Sequence, residues 1–218
     1  MSCKAISRSQ FHIVNLRDYF DQIAAQWDGI LEEKMMTARL REIVAGLSIE
    51  PRAAVLDVGC GTGVLFPMLL EKVGRDGHIV ALDISSKMLK HAKIKGHPVT
   101  HIQGDAQWLP FPAKTFDWVV CNAVFPHFSD KLGALREIHR VLKDGGRLVI
   151  CHANNREAVN EIHQTIGGVV ARDTIPPEEE TRRLLREARL DKIIVRNEPD
   201  RYLVLAHRQT SKVFATQP

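Results

Sequence analysis

The apolar stretch Val55-Leu56-Asp57-Val58 runs directly into Gly59-Cys60-Gly61-Thr62-Gly63, and this junction limits the fold more than any other part of the chain. Three glycines on alternate positions specify a turn in which backbone without Cβ atoms approaches a ligand closely, its N–H groups facing that ligand from the start of a helix. The spacing is G-x-G-x-G, not the G-x-G-x-x-G of dinucleotide binders. Asp57, two residues before the first glycine, would repel a pyrophosphate and suits a cationic group such as an ammonium. Twenty residues after Gly63, Asp83 closes the run His78-Ile79-Val80-Ala81-Leu82, where a strand-end carboxylate can accept both hydroxyls of a ribose. A structural reading also stands, in which the loop is a tight strand-to-helix turn with no ligand.

Three further segments follow in order: Gly104-Asp105-Ala106-Gln107-Trp108-Leu109-Pro110-Phe111, Thr115-Phe116-Asp117-Trp118-Val119-Val120-Cys121-Asn122, and Leu142-Lys143-Asp144-Gly145-Gly146-Arg147-Leu148-Val149-Ile150. With the glycine loop, this series resembles the class I S-adenosylmethionine (SAM)-dependent methyltransferases, in particular the broad small-molecule group that includes the ubiquinone and menaquinone C-methyltransferases. The resemblance spans residues 15–152. It is specific for cofactor and fold and says little about the methyl acceptor.

At 218 residues the chain can bury a sizeable core, and one α/β domain of this length is ordinary. There is no run of 18 apolar residues, and Met1-Ser2-Cys3-Lys4 opens no signal peptide, so a cytoplasmic protein without a transmembrane segment is expected. The cysteines at 3, 60, 121 and 151 lack paired short spacing, and reduced thiols are expected. The net charge of +4 is modest. Lys87, Lys90, Lys93 and Lys95 share a predicted helix with apolar Met88, Leu89 and Ala92, which reads as a solvated face better than as a nucleic-acid patch.

Strand and helix patterns alternate along the chain, which argues for a parallel sheet covered on both faces. Residues 1–50 read as an N-terminal helical cap. Leu16, Tyr19, Phe20, Ile23 and Trp27 recur at helical spacing, as do Leu31, Met35, Leu40, Ile43, Val44 and Leu47. The first stripe is expected to cover the cofactor, the second to pack on the sheet. Residues 51–152 read as the cofactor-binding core, with strands at 53–58, 78–83, 98–103, 116–122 and 146–152 and helices at 62–73, 85–95 and 129–142. Ser129-Asp130 starts the last of these helices and Gly145-Gly146 ends it. Residues 153–177 form an unusually long connection with a helix over 155–166, expected to act as a lid. Residues 178–208 supply a helix and a hairpin of strands at 192–196 and 202–207, followed by a frayed tail. The methyltransferase resemblance implies a Rossmann-like, mostly parallel seven-stranded sheet of order 3-2-1-4-5-7-6.

In such a sheet, ligands collect beyond the carboxyl ends of the strands where strand order switches. That gathers Asp57, Gly59, Cys60, Gly61 and Gly63 with Asp83, Asp105, Ala106, Gln107 and the segment 122–127. The resemblance implies Asp83 on the ribose hydroxyls, Ile84 against adenine, Asp105 and the Ala106 N–H on its amino edge, and Asn122 and Ala123 lining the passage to the methyl group, with Met88 a further candidate for cofactor contact. It also places Tyr19 and Trp27 over the cofactor. Asp105 has a second reading, as an Asx residue stabilising the turn after a strand.

Methyl transfer from a sulfonium requires alignment, exclusion of water and, for a protonated acceptor, a base. His127, His152 and His163 are candidate bases, each with an alternative reading as a hydrogen-bonded structural histidine. These histidines with Cys151 show no metal-ligand spacing, and no metal is expected. Cys60 reads as a small residue beside the cofactor. The fourth strand ends Asn122-Ala123-Val124-Phe125 and not Asn/Asp-Pro-Pro-aromatic, which disfavours exocyclic amines of bases or glutamine; no Pro-Cys dipeptide points to pyrimidine C5 chemistry. The expected acceptor is therefore a small, apolar or aromatic organic molecule, with Phe125, Phe128, Val159, Ile162, Ile166, Val169 and Ile175 as candidate walls or lid packing. S-adenosylhomocysteine would be the product, no nucleic-acid partner is expected, and the reading leaves room for a homodimer. Alternatives are a nucleic-acid or protein methyltransferase, a nicotinamide-dependent oxidoreductase, or a non-catalytic SAM-binding module.

Overall fold

The computed structural model describes residues 8–31 and 34–209. Cys3 and the tail expected beyond Gln209 lie outside them.

The strands are β1 (Ala54–Val58), β2 (His78–Asp83), β3 (Thr100–Gln103), β4 (Phe116–Asn122), β5 (Leu142–His152), β6 (Leu190–Glu198) and β7 (Arg201–Arg208). They form one sheet of order β3-β2-β1-β4-β5-β7-β6, as expected. Every pair from β3 to β5 is parallel, with Asp57 beside Ala81 on one flank and beside Val120 on the other. β7 inserts antiparallel, Ile150 opposite Val204, because a tight hairpin joins it to β6. The central strands are apolar almost throughout: Val55, Leu56, Val119, Val120, Val149 and Ile150 are fully buried, as covering both faces of a parallel sheet requires.

The helices are α1 (Arg8–Ile23), α2 (Trp27–Leu31), α3 (Lys34–Gly46), α4 (Phe66–Val73), α5 (Ser86–Ile94), α6 (Lys131–Val141), α7 (Arg156–Ile166) and α8 (Glu178–Glu187). α3 and α4 cover one face, where Leu40, Ile43, Val44 and Leu47 pack with Val55 and Leu69. α6 and α8 cover the other through Leu135, Ile138 and Leu185. Burying an aliphatic side chain of this size contributes about 1.5–3 kcal/mol, so these stripes fix which helix faces turn inward. Met35, counted in the α3 stripe, is instead exposed.

Two boundaries differ from the pattern in the sequence. The helix expected to run unbroken through Trp27 is interrupted by a 3₁₀ turn over Ala24–Gln26. Ala24 is buried at this turn, and the change of direction lets the Phe20 and Trp27 rings meet edge to face, centroids 5.8 Å apart. α6 ends at Val141, not at the glycine pair, because Leu142 is already extended, fully buried and paired with Phe116 on β4. Strand pairing and burial outweigh the C-capping chemistry of Gly145.

Candidate functional site

Strand order switches between β1 and β4, and a crevice of about 920 Å³, open to solvent, lies there. One end is built by the glycine loop. Gly59, Gly61 and Gly63 have φ of 69°, 54° and 85°, so the loop bends in a backbone region that residues with a Cβ rarely adopt. Space is equally restrictive: a Cβ on Gly59 would stand 2.3 Å from Val124 Cγ2, and one on Gly61 3.3 Å from Trp27 Nε1.

Asp83 fastens this loop. One of its carboxylate oxygens accepts the Gly61 N–H and the other the Ser85 N–H, both at 2.8 Å. Burial nevertheless pushes its pKa up to about 6, against those two bonds. Asp57 lies beneath the loop, 1% exposed, and neither carboxylate oxygen has a hydrogen-bond partner. Burial, reinforced by the neighbouring Asp83 charge, pushes it up to about 7. Two carboxyl groups poised near neutrality under a glycine loop form a site of latent negative charge. Cys60 stays a thiol, since burial raises its pKa well above the ordinary value, and no nucleophilic role follows.

The roof comes from the N-terminal helices. Leu16, Phe20 and Trp27 line the crevice, while Tyr19 stands behind Phe20 in an edge-to-face pair at 5.2 Å. Two carboxylates dock the roof on the core. Asp21 accepts from the Ser85 hydroxyl at 2.6 Å, and that same hydroxyl oxygen caps α5 by accepting from Met88 N. Asp28 accepts from the Thr62 hydroxyl at 2.5 Å and pairs with Lys95. Lys95 is thereby engaged with the roof, while Lys87, Lys90 and Lys93 point to solvent.

Ile84, Met88, Ala106 and Gln107 line the crevice together with Asp105. Asp105 accepts from Gln107 N at 2.9 Å, so the Asx turn weighed for it is present in a residue that also faces the crevice. At the end of β4, Asn122 lines the wall and Ala123 holds a φ of 54°, a strained conformation in a residue that carries a Cβ. Beyond it a 3₁₀ turn, Phe125–His127, is anchored by fully buried Phe125 and clamped by Lys131 Nζ, which donates to the Pro126 and Phe128 carbonyls. This turn delivers His127 to the crevice.

His127 Nδ1 lies 2.8 Å from an Asp173 carboxylate oxygen, and the His163 ring packs against it with centroids 4.8 Å apart. His163 Nδ1 is 2.5 Å from the Asp173 carbonyl. His152 is 4% exposed, does not line the crevice and leaves Nε2 without a partner. Burial drives it down to about 3, with His127 and His163 adding to the effect, and it is therefore neutral. Burial also holds His127 below its ordinary pKa, outweighing Asp173.

The structure thus brings Trp27, Gly59, Cys60, Gly61, Asp83, Ile84, Met88, Asp105, Ala106, Gln107, Asn122, Ala123 and His127 onto one crevice, whereas Tyr19, Asp57, Gly63, His152 and His163 do not line it. The apolar walls differ from those expected. Val159 and Ile175 are spent in the core, Phe125 is buried, and Ile162 and Ile166 are exposed. Only Phe128 of that set lines the crevice, joined by Leu16, Phe20, Val58, Val64, Leu82 and Val124. Ser129 also lines it and accepts from Gln107, a role hidden in the sequence by its place at a helix start. No group of three or more potential metal ligands occurs among the described residues. None of the described helices is long and apolar enough to cross a membrane.

Residues 56–150 match the family model described as a methyltransferase domain. Over those residues the chain is similar to methyltransferase domains. Among similar proteins, the demethylmenaquinone methyltransferase of Lysinibacillus sphaericus is 32% identical over 149 residues, 66% of this chain and 64% of that protein. The protein of the same name from Listeria welshimeri is 35% identical over 137 residues, 59% of this chain and 58% of the relative. The chain thus spans about six tenths of the length of these curated relatives. A solved SAM-dependent methyltransferase from Thermotoga maritima superposes with a TM-score of 0.73 over 89% of this chain and 100% of its own, at 17% identity, a likeness of fold. The matched region of the family model takes in the glycine loop, Asp83, Asp105 and Asn122 and stops before α7. Segment 153–177, which contributes Asp173, lies beyond it.

Proposed function

We propose that this chain transfers a methyl group from SAM to a small, apolar or aromatic organic acceptor. The observation that carries the reading is the buried, unpartnered Asp57 carboxylate beneath a glycine loop that tolerates no Cβ, beside Asp83. That donor set fits a cofactor with a cationic amino-acid end and a ribose, and it suits a pyrophosphate poorly. SAM, when bound, supplies an electrophilic methyl group on a sulfonium.

The chain's own residues supply the rest. Asp83 closes the glycine loop and offers its carboxylate to the ribose. Asp57 places negative potential under the amino-acid end. Asp105, Ala106 and Gln107 with Ile84 and Met88 form the adenine end, and Asn122 and Ala123 the passage to the acceptor. Leu16, Phe20 and Trp27 exclude water from above, which strengthens every polar contact inside. His127, the only one of the three candidate histidines in the crevice wall, takes the acceptor's proton where there is one.

A quinol ring is the first acceptor to try, because the relatives above are named for demethylmenaquinone. The matched domain ends at residue 150, before segment 153–177, so phenols, thiols and small amines belong in the same assay. The test is transfer of label from methyl-labelled SAM to these four classes, alongside calorimetric titration with SAM and with NAD. Binding of SAM but not NAD, with label on at least one small acceptor, is expected. Failure to bind SAM would overturn the reading.

A further inference from the structure

The acceptor side contains a carboxylate that the cofactor reading does not use. Asp173 is 94% buried and comes from the connection between β5 and α8, 46 positions from the histidine it meets. Its neighbourhood is tightly built. The Asp173 N–H donates to the Val170 carbonyl, and its own carbonyl meets His163. Two residues on, Asn160 of α7 closes a double hydrogen bond with the backbone of Ile175, at 2.8 and 3.1 Å. Val170 and Ile175 are both buried, so this stretch is anchored in the core on either side of Asp173.

A carboxylate accepts and does not donate when ionised, so it selects the His127 tautomer that carries its proton on Nδ1. Nε2 is then the lone-pair nitrogen of a ring that lines the crevice. Phe20 meets this ring edge to face at 5.2 Å, and His163 covers another side. Among the described residues, the charged and titratable groups around it are Asp173, His163, His152 and Lys131, the last held on two carbonyls.

We propose that Asp173 is a positioning residue: it fixes His127 in the Nδ1–H form with Nε2 presented to the acceptor, so that the proton acceptor is assembled only while segment 153–177 is docked. The inference rests on the methyltransferase reading above and extends it to the acceptor, which must then carry an ionisable O–H, N–H or S–H, a phenol being the simplest case. In the step concerned, the X–H bond breaks, its electron pair stays on X as the nucleophile, and the proton forms an N–H bond at Nε2. The imidazolium is balanced by the Asp173 carboxylate and returns its proton to solvent after the acceptor leaves. Holding the ring in one tautomer matters because the wrong one presents N–H where a base is needed.

The test uses the full chain labelled with ¹⁵N-histidine, without added ligand, in wild type, Asp173→Asn and Asp173→Glu. The wild type should show His127 protonated on Nδ1 when neutral. Asp173→Asn should lose that single tautomer and lower the His127 titration midpoint, and Asp173→Glu should recover both in part. On whichever acceptor takes label, Asp173→Asn should lower turnover by about 10²- to 10⁴-fold and shift the acidic limb of the pH profile, with SAM affinity unchanged. An unchanged His127 tautomer and titration in Asp173→Asn would overturn the inference even if transfer is confirmed. If Asp173→Asn does not fold, a wild-type His127 without the Nδ1–H tautomer, or an Asp173→Glu variant with an unaltered pH profile and altered stability alone, overturns it equally. Absence of SAM binding in the wild type, by contrast, removes the methyltransferase reading and leaves the tautomer measurement standing.

Discussion

Asp28 and Thr62 are 34 positions apart, yet the Asp28 carboxylate accepts the hydroxyl proton of Thr62 at 2.5 Å and so locks the roof of the crevice to the glycine loop. Thr62 is 1% exposed, while Asp28 keeps half of its side-chain surface in solvent. The bond therefore stabilises by less than a fully buried charge-assisted pair. It joins the two segments that a bound cofactor would touch together.

Thr62→Val keeps the buried shape and removes the donor. A hydrogen bond to a charged group contributes about 1.5–3 kcal/mol, and half-exposure of Asp28 points to the lower end. S-adenosylhomocysteine affinity measured by calorimetry is expected to fall about tenfold. Amide exchange over 24–31 should accelerate in the free variant and slow again on saturation with ligand. Equal exchange in variant and wild type would leave the Thr62 bond without a part in closing the roof.

Asp83 has a structural task and, under the proposed function, a binding task as well. Asp83→Ala removes the acceptor for Gly61 N and Ser85 N, so both SAM affinity and the melting temperature should drop. Affinity is expected to fall about ten- to a hundredfold. Asp83→Asn retains one acceptor oxygen and should fall between. Wild-type affinity in a folded Asp83→Ala variant would remove Asp83 from the cofactor site.

Gly61→Ala tests the fit between loop and roof. The new methyl group would face Trp27 Nε1 at 3.3 Å on a backbone with φ of 54°. The left-handed conformation alone costs roughly 1–2 kcal/mol for a residue with a Cβ. Fluorescence of Trp27 should shift as the roof is displaced, and adding Trp27→Ala should restore part of the lost SAM affinity. Additive losses in the double variant would show that loop and roof act separately.

Buried titratable groups give two opposing pH dependences of stability. Asp57, raised to about 7, contributes stability that is present below its unfolded value near 4 and lost as pH rises through about 7. His152, lowered to about 3, contributes stability present above its unfolded value near 6.5 and lost as pH falls from there towards 3. Urea unfolding of the free protein between pH 5 and 8 should therefore show Asp57→Asn gaining on the wild type as pH rises. His152→Gln should gain on it as pH falls. Because a cation beside Asp57 favours its ionised form, SAM binding near pH 6 should release protons, measurable as a dependence of binding heat on the buffer.

The strands at 78–83 and 116–122 and the glycine loop were legible in the sequence because each rests on local chemistry, whereas the sheet order came from the family resemblance. A β-branched apolar run can satisfy its backbone only by pairing, and alternate glycines bend only where φ turns positive. Asp83 and Asp105 could be assigned to the crevice for the same reason, since a strand end is a place that topology fixes. Other features depended on partners far away in the chain. The 3₁₀ break at Ala24–Gln26 exists where Asp21 and Asp28 must reach Ser85 and Thr62 on the core, and α6 stops at Val141 because Leu142 finds Phe116. The three histidines were visible as candidates, but residue spacing carries no information on which one reaches the crevice. That was decided by packing: Phe125 anchors the turn that presents His127, burial withdraws His152, and the docked 153–177 segment brings Asp173 against the His127 ring.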